Sequence, residues 1–174
     1  HLGNYYFKIG RYNEAIETFK QVVSINPEFE AAYFNIGMIY NKVGQLAEAK
    51  EAFQNVVHLN PRSKTAYYNI GVAATKLGQY EESVAAYKKA IDIQPAFVEA
   101  LYNLGLAYGE LGNIPDEMDA YKKAIRVNPD FTPAHYAMGH AYLKQGDKAS
   151  ALDQYKILKK LDSGIADKLF DEIY

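Results

Sequence analysis

The fold of the chain is decided by residues 30–63, which read EAAYFNIGMIYNKVGQLAEAKEAFQNVVHLNPRS over 34 positions. Apolar side chains recur at helical spacing in two runs, one before Gly44 and one after it. A glycine suits the end of the first helix, where a positive φ is needed. Pro61 follows the second helix, which a proline cannot continue. The stretch therefore predicts a helix, a short turn, a second helix and a loop.

The same pattern recurs along the chain at a fixed step of 34 residues, without an insertion. Neither helix of one unit could bury its apolar face alone, so the units are predicted to stack on one another. One proline column and two glycine columns keep the register: Pro27, Pro61, Pro95 and Pro129; Gly3, Gly37, Gly71, Gly105 and Gly139; and Gly10, Gly44, Gly78, Gly112 and Gly146.

The composition argues against several classes of function. The chain carries 19 Lys and Arg against 21 Asp and Glu, so it lacks the basic surplus that drives binding to nucleic acid. It contains no cysteine, which removes disulfides and zinc–thiolate sites and is compatible with a reducing compartment. No apolar run is long enough to span a membrane. We therefore expect a cytoplasmic protein without nucleic-acid binding or membrane insertion.

The sequence offers no constellation for catalysis or for metal binding. Its histidines are His1, His58, His135 and His140. The last two diverge by about 140° on a helix, which does not suit a metal pair. The carboxylates concentrate at helix starts, where they suit the helix dipole. We therefore predict no enzyme activity, no metal site and no cofactor.

The second unit carries a motif that runs through both predicted helices, at Tyr33, Ile36, Gly37, Tyr40, Ala49, Phe53 and Pro61. This motif resembles the tetratricopeptide repeat, and the resemblance covers essentially the whole chain. It implies an all-α, right-handed superhelical solenoid of about five 34-residue helix-turn-helix repeats and a C-terminal capping helix, in one domain spanning residues 1–174. The expected repeats are approximately 1–29, 30–63, 64–97, 98–131 and 132–163, and the capping helix is 164–174.

Both ends of the chain depart from the repeat pattern. The first unit enters late, so we expect the natural protein to extend upstream. In the fifth unit Ser163 replaces the proline. The last segment has apolar residues on one side and polar residues elsewhere, as a terminal capping helix does. The apolar residues expected to dock are Ile165, Leu169, Phe170 and Ile173.

Glu117 is a departure inside the array. It takes the position of Ala15, Ala49 and Ala151, where the family has a small residue. A carboxylate there needs a partner or a route to water. One interpretation is a local shift, with Pro115 starting the helix and the stem of Glu117 reaching outward. The other is a buried charge with a functional partner, and we expect the first.

A second stripe on each first helix is left unused by packing within the repeat, as helical geometry at about 100° per residue shows. In tetratricopeptide arrays this side lines the concave groove, so the resemblance implies a peptide-binding groove. This stripe includes Asn35, Asn69 and Asn103. Each side-chain amide has a hydrogen-bond donor and an acceptor, so it can pair with the backbone of an extended peptide. A similar asparagine ladder occurs in the O-linked GlcNAc transferase family. The predicted groove residues are Phe34, Asn35, Met38, Lys42, Tyr68, Asn69, Val72, Lys76, Tyr102, Asn103, Leu106, Tyr136 and His140.

Other interpretations of this stripe stay open. Its aromatic residues can equally pack against the neighbouring repeat, and its asparagines can simply be solvated. Lysines such as Lys42 and Lys76 hint at an acidic peptide. Chaperone C-terminal tails are not predicted as ligands, because Phe34 and Met38 stand where a carboxylate clamp needs Lys and Asn.

The function predicted from the sequence is a non-catalytic scaffold for protein–protein interaction that binds an extended peptide segment of a partner. The alternative is a module that self-associates through the open ends of its array. An RNA-binding helical repeat is a remote third reading, which the balanced charge disfavours.

Overall fold

The computed structural model describes residues 2–174, and this part of the chain contains eleven α-helices and no β-strand. The all-α class predicted from the sequence is thereby confirmed. The helices group into two compact units, His1–Gln94 and Pro95–Tyr174, and His1 itself lies outside the described residues. Unit 1 contains α1 (Leu2–Lys8), α2 (Tyr12–Ile25), α3 (Glu30–Val43), α4 (Leu46–Leu59), α5 (Lys64–Lys76) and α6 (Tyr80–Ile93). Unit 2 contains α7 (Val98–Glu110), α8 (Ile114–Val127), α9 (Thr132–Lys144), α10 (Lys148–Leu161) and α11 (Ser163–Ile173).

The turn inside each repeat depends on a glycine, as predicted. Gly44, between α3 and α4, has a φ of 82°, and Gly112, between α7 and α8, has a φ of 69°. Side chains other than glycine rarely adopt this left-handed conformation. The turn is therefore short enough to bring the two helices of one repeat into antiparallel contact.

An asparagine before the proline fixes the loop that follows α4 and the loop that follows α8. In unit 1 the Oδ1 of Asn60 accepts a hydrogen bond from the backbone N–H of Arg62 at 3.1 Å. In unit 2 the Oδ1 of Asn128 accepts one from the N–H of Asp130, also at 3.1 Å. These local bonds replace the helical ones that the proline interrupts. The predicted helix ends are therefore supported by specific contacts.

An aromatic ring packed on a helical glycine holds each central repeat together. In unit 1 the ring of Phe53 on α4 is fully buried, and a Cβ added to Gly37 on α3 would lie 2.8 Å from it. In unit 2 the ring of Tyr121 on α8 covers Gly105 on α7 in the same way. The glycine lets the two helices approach closely enough for the ring to fill the space between them.

The last repeat of unit 2 departs from this arrangement. Tyr155 stands at the aromatic position of the motif, yet it is only half-buried. The side chain of Leu169 on α11 packs against Gly139 instead, where a Cβ would lie 2.6 Å from it. This exchange follows from the position of α11, which begins directly after α10 and packs against both α9 and α10.

The capping helix predicted at 164–174 is α11, observed at Ser163–Ile173. Asp162 caps it, because its Oδ1 accepts a hydrogen bond from the N–H of Ile165 at 3.1 Å. Leu169 and Ile173 are buried as expected. The prediction that Phe170 docks was wrong, since it remains 41% exposed and its ring contacts those of Tyr155 and Tyr174. Phe170 follows Leu169 directly, so it points about 100° away from the docked side.

Candidate functional site

The aromatic residues predicted for the groove in unit 1 are held between helices. Phe34 on α3 and Tyr68 on α5 are both half-buried. The ring centroid of Phe34 lies 5.5 Å from that of Phe53, and the centroid of Tyr68 lies 5.9 Å from that of Tyr87. Phe34 also packs on the cluster that contains Ile70 of the following repeat. The two rings are therefore fixed in place, and their remaining exposed surface can contact a ligand.

The asparagines of unit 1 differ in how they use their amides. Asn35 and Asn69 are half-buried. The Nδ2 of Asn69 donates a hydrogen bond to the carbonyl oxygen of Thr65 in its own helix, at 2.7 Å. The side chain of Asn35 forms no hydrogen bond with any residue that the structure describes. Asn35 thus keeps its donor and its acceptor, whereas Asn69 keeps an acceptor.

An open cavity of about 620 Å³ lies beside Phe34 and Asn35. It is formed where the first turns of α3 and α5 lie next to each other. The residues that line it include the ring of Phe34, the amide of Asn35 and the hydroxyl of Thr65, which a ligand in the cavity could contact. The other lining residues are Glu28, Phe29, Glu30, Ala31, Ser63 and Thr65.

The six other predicted groove residues of unit 1 lie outside this cavity, Tyr68 and Asn69 among them. Met38 and Lys42 are exposed on α3. On α5, Val72 is half-buried and Lys76 is exposed, with its Nζ 3.5 Å from Oδ1 of Asn41. Lys42 and Lys76 place two positive charges at the C-terminal ends of α3 and α5.

In unit 2 the structure brings four of the five predicted residues into one cavity of about 240 Å³, at Tyr102, Leu106, Tyr136 and His140. The fifth, Asn103, is half-buried on α7 and does not line it. The cavity lies between α7, α8 and α9. The other six lining residues are Gly109, Glu110, Glu117, Tyr121, Ala137 and Lys144.

The tyrosines of this cavity are held by their neighbours. The ring centroid of Tyr102 lies 6.1 Å from that of Tyr121 and 5.6 Å from that of Phe131. The hydroxyl of Tyr136 donates a hydrogen bond to the carboxylate of Glu172 on α11, and this bond raises the pKa of Tyr136 to about 12. The walls of the cavity are therefore largely preformed.

The interpretation that Glu117 reaches outward was wrong. Helix α8 begins at Ile114, which is 34 residues after the first residue of α6, so there is no local shift. Asn113 caps α8 and Pro115 takes one of its first positions. The side chain of Glu117 is only 6% exposed and points into the cavity. It fits because Gly109 has no side chain, and a Cβ there would lie 2.8 Å from Oε1 of Glu117.

The carboxylate of Glu117 is weakly compensated. Its Oε1 accepts a hydrogen bond from the hydroxyl of Tyr121 at 3.3 Å, and no cation of residues 2–174 lies within ion-pair distance. Burial raises the pKa of Glu117 above its usual value, and Lys144 is the largest influence that acts against the rise. A buried carboxylate with one long hydrogen bond is costly to keep charged.

The two histidines of unit 2 lie in different environments. His140 is exposed and lines the cavity, whereas His135 is buried and hydrogen-bonded through both ring nitrogens to Gln154 and to the carbonyl oxygen of Pro129, each at 2.8 Å. Within residues 2–174 no group of His, Asp and Glu side chains is placed to hold a metal ion. None of the helices in that range has the length and apolar character to cross a membrane.

Comparison with known families gives matches along most of the chain. The family described as TPR repeat matches residues 3–44, 74–112 and 118–146. Families described as tetratricopeptide repeat match residues 30–63 and 98–131. No curated protein matches the sequence.

Several solved structures are similar to this one over nearly its whole length. The crystal structure of MamA has a TM-score of 0.91 at 26% identity and covers 96% of this chain and 98% of its own. MamA from Desulfovibrio magneticus RS-1 has a TM-score of 0.87 at 21% identity, covering 94% and 92%. YrrB, described as a TPR protein with an unusual peptide-binding site, has a TM-score of 0.83 at 17% identity, covering 97% and 88%.

Proposed function

Because the chain belongs to the tetratricopeptide repeat family, we propose that it binds an extended segment of a partner protein along its first helices. Members of this family are in general interaction scaffolds without catalytic activity. The observation that carries the proposal is in unit 1, where Asn35 keeps an unused amide beside the fixed ring of Phe34 and an open cavity. The proposed role is thus a non-catalytic scaffold.

The polar groups of this surface suit a peptide backbone. The amide of Asn35 offers both a donor and an acceptor, and that of Asn69 offers an acceptor. An extended backbone presents donors and acceptors in alternation, so it can pair with both side chains. The rings of Phe34 and Tyr68 supply apolar contact for neighbouring side chains of the segment. YrrB shares the fold, and its description as having a peptide-binding site supports this class of ligand.

The charges of unit 1 favour acidic residues in part of the segment. Lys42 and Lys76 are exposed at the C-terminal ends of α3 and α5. Neither forms a close ion pair with a carboxylate of the described residues. We propose that the part of the segment that passes them carries Asp or Glu.

The proposal can be tested with peptides that the protein selects from a random library displayed on phage. The variant Asn35→Ala, Asn69→Ala is expected to bind the selected peptides about fivefold more weakly for each hydrogen bond lost. The physical reason is that a buried backbone group of the peptide would lose its partner. Isothermal titration calorimetry would measure the dissociation constants.

Asn55→Ala is a matched control for this test. The Nδ2 of Asn55 on α4 also donates to a carbonyl oxygen of its own helix, that of Glu51, at 3.1 Å. The control thus loses the same kind of intrahelical bond as Asn69→Ala without touching the proposed surface. Equal affinity of the double variant and the unmodified protein would rule the surface out.

Self-association is a second candidate, and an exposed apolar face on α1 favours it. Leu2, Tyr5 and Ile9, in α1 and just after it, are each about half exposed or more, at 55%, 58% and 49%. A second copy of the chain could cover this face. Light scattering over a range of concentrations separates the two candidates, because a peptide-binding scaffold can remain monomeric.

A further inference from the structure

One pair of positions in unit 2 departs from every other repeat. In each repeat the residue at the small position of the second helix faces the residue eight places before it on the first helix. In unit 1 Thr75 and Ser83 meet there with their hydroxyl oxygens 2.6 Å apart. In the fourth repeat the larger side chain is on the second helix instead of the first: the first helix has Gly109 and the second has Glu117. The five pairs are Phe7 and Ala15, Asn41 and Ala49, Thr75 and Ser83, Gly109 and Glu117, and Leu143 and Ala151.

The reversal opens the cavity of unit 2 and places a buried carboxylate at its base. Glu117 is more than nine-tenths buried, and its single hydrogen bond from Tyr121 is long at 3.3 Å. A charge in that position is stabilised only if a cation or further donors reach it. The repeat therefore contains an acceptor without an adequate partner of its own.

The walls around Glu117 suit a cation. The rings of Tyr102, Tyr121 and Tyr136 line the cavity, and aromatic faces attract cations. Glu110 adds a second carboxylate at the rim. A hydrophobic side chain alone would leave Glu117 unpaired, and an acidic one would be repelled by it.

Two basic groups also face the cavity, and both are exposed. Lys144 and His140 on α9 line its rim. Neither forms an ion pair with Glu117 in the described structure. They reduce the negative potential of the cavity, but the base of the cavity stays open to a cation from outside.

We propose that the cavity between α7, α8 and α9 receives a lysine or arginine side chain of the bound segment, with its charged head on Glu117 and its stem among the tyrosines. This inference rests on the proposed function, since it assigns one side chain of the segment. It also makes unit 2 selective for a basic residue, whereas the exposed lysines of unit 1 favour acidic ones.

The first test uses n-butylammonium chloride, an analogue of the lysine side chain, and follows the ring signals of Tyr102 and Tyr121 by NMR. Saturable shifts are expected for the unmodified protein with n-butylammonium but not with n-butanol. Glu117→Gln should weaken the binding about tenfold, the effect of losing a charged hydrogen bond. Glu99→Gln, on an exposed carboxylate of α7, is the control and should bind as the unmodified protein does.

Three results of the butylammonium titration would contradict the proposed cation site. Equal shifts with butylammonium and butanol, no shift with either, or unchanged binding to Glu117→Gln would each overturn the inference. The contrast between butylammonium and butanol uses the unmodified protein, so it holds even if the variant does not fold.

The second test separates this inference from the proposed function. Peptides selected by the unmodified protein should contain Lys or Arg at one position, and replacing that residue with norleucine should weaken binding about tenfold. If butylammonium binds but no peptide does, the proposed function fails and a cation site alone remains. If peptides bind without preferring a basic residue, the proposed function stands and the inference fails.

Discussion

Replacing Phe53 with alanine is expected to lower the free energy of unfolding by about 3–5 kcal/mol. The side chain is fully buried in unit 1, and its ring fills the space between Gly37 on α3 and the ring of Phe34. Its loss leaves a cavity that the surrounding side chains and helices close only in part. Because neighbouring repeats stabilise one another, the effect should extend through unit 1. Urea denaturation followed by circular dichroism measures it.

Phe29→Ala is the control for this prediction. Phe29 precedes α3 and is 46% exposed, so its replacement should cost less than about 1 kcal/mol. If the two variants lost similar stability, the ring of Phe53 would not be the centre of the repeat, and the packing described for α3 and α4 would be wrong.

Replacing Leu169 with alanine is expected to lower the free energy of unfolding by about 2–5 kcal/mol. Leu169 is fully buried and is the side chain that packs on Gly139 in the last repeat. Removing it should undock α11 and expose the apolar face of unit 2. Hydrogen exchange of the α11 amides, together with urea denaturation, measures both effects.

Lys168→Ala is the control for this prediction, because it changes α11 without removing the contact between Leu169 and Gly139. Lys168 is exposed beside Leu169, and alanine preserves helix propensity. Its stability should change by less than about 0.5 kcal/mol. Rapid exchange of α11 already in the unmodified protein would contradict a docked capping helix.

The repeat register could be read from the sequence because its signals are local. A glycine that needs a positive φ and a proline that ends a helix act on their own segment, so the ends of α3 and α4 follow from Gly44 and Pro61. The apolar spacing within each helix then shows which side is buried. This is why the helices and the family were predicted correctly.

The features that the sequence analysis missed depend on contacts between helices. Glu117 was expected to reach outward because the family has a small residue at its position. The room for its side chain comes from Gly109 on another helix. Leu169 packs on Gly139, although Tyr155 holds the aromatic position of the repeat motif. Gly109 was nevertheless a usable signal, since the other repeats carry a side chain at its position.

The role of the predicted groove residues stays a prediction. The spacing of the first helices put Tyr102, Leu106, Tyr136 and His140 on one side, and in the structure they line one cavity. It could not show that Asn69 donates to Thr65, because that bond depends on the rotamer of the side chain.

The central claim is that an extended segment binds along the first helices. The most direct test is an NMR titration with a peptide that the protein has selected from the random library, following the side-chain amides of Asn35, Asn69 and Asn55. We predict that the amide signals of Asn35 and Asn69 shift on saturation while those of Asn55 on α4 stay in place. Shifts confined to Asn55 and its neighbours, with Asn35 and Asn69 unchanged, would contradict the claim and move the binding surface to the second helices.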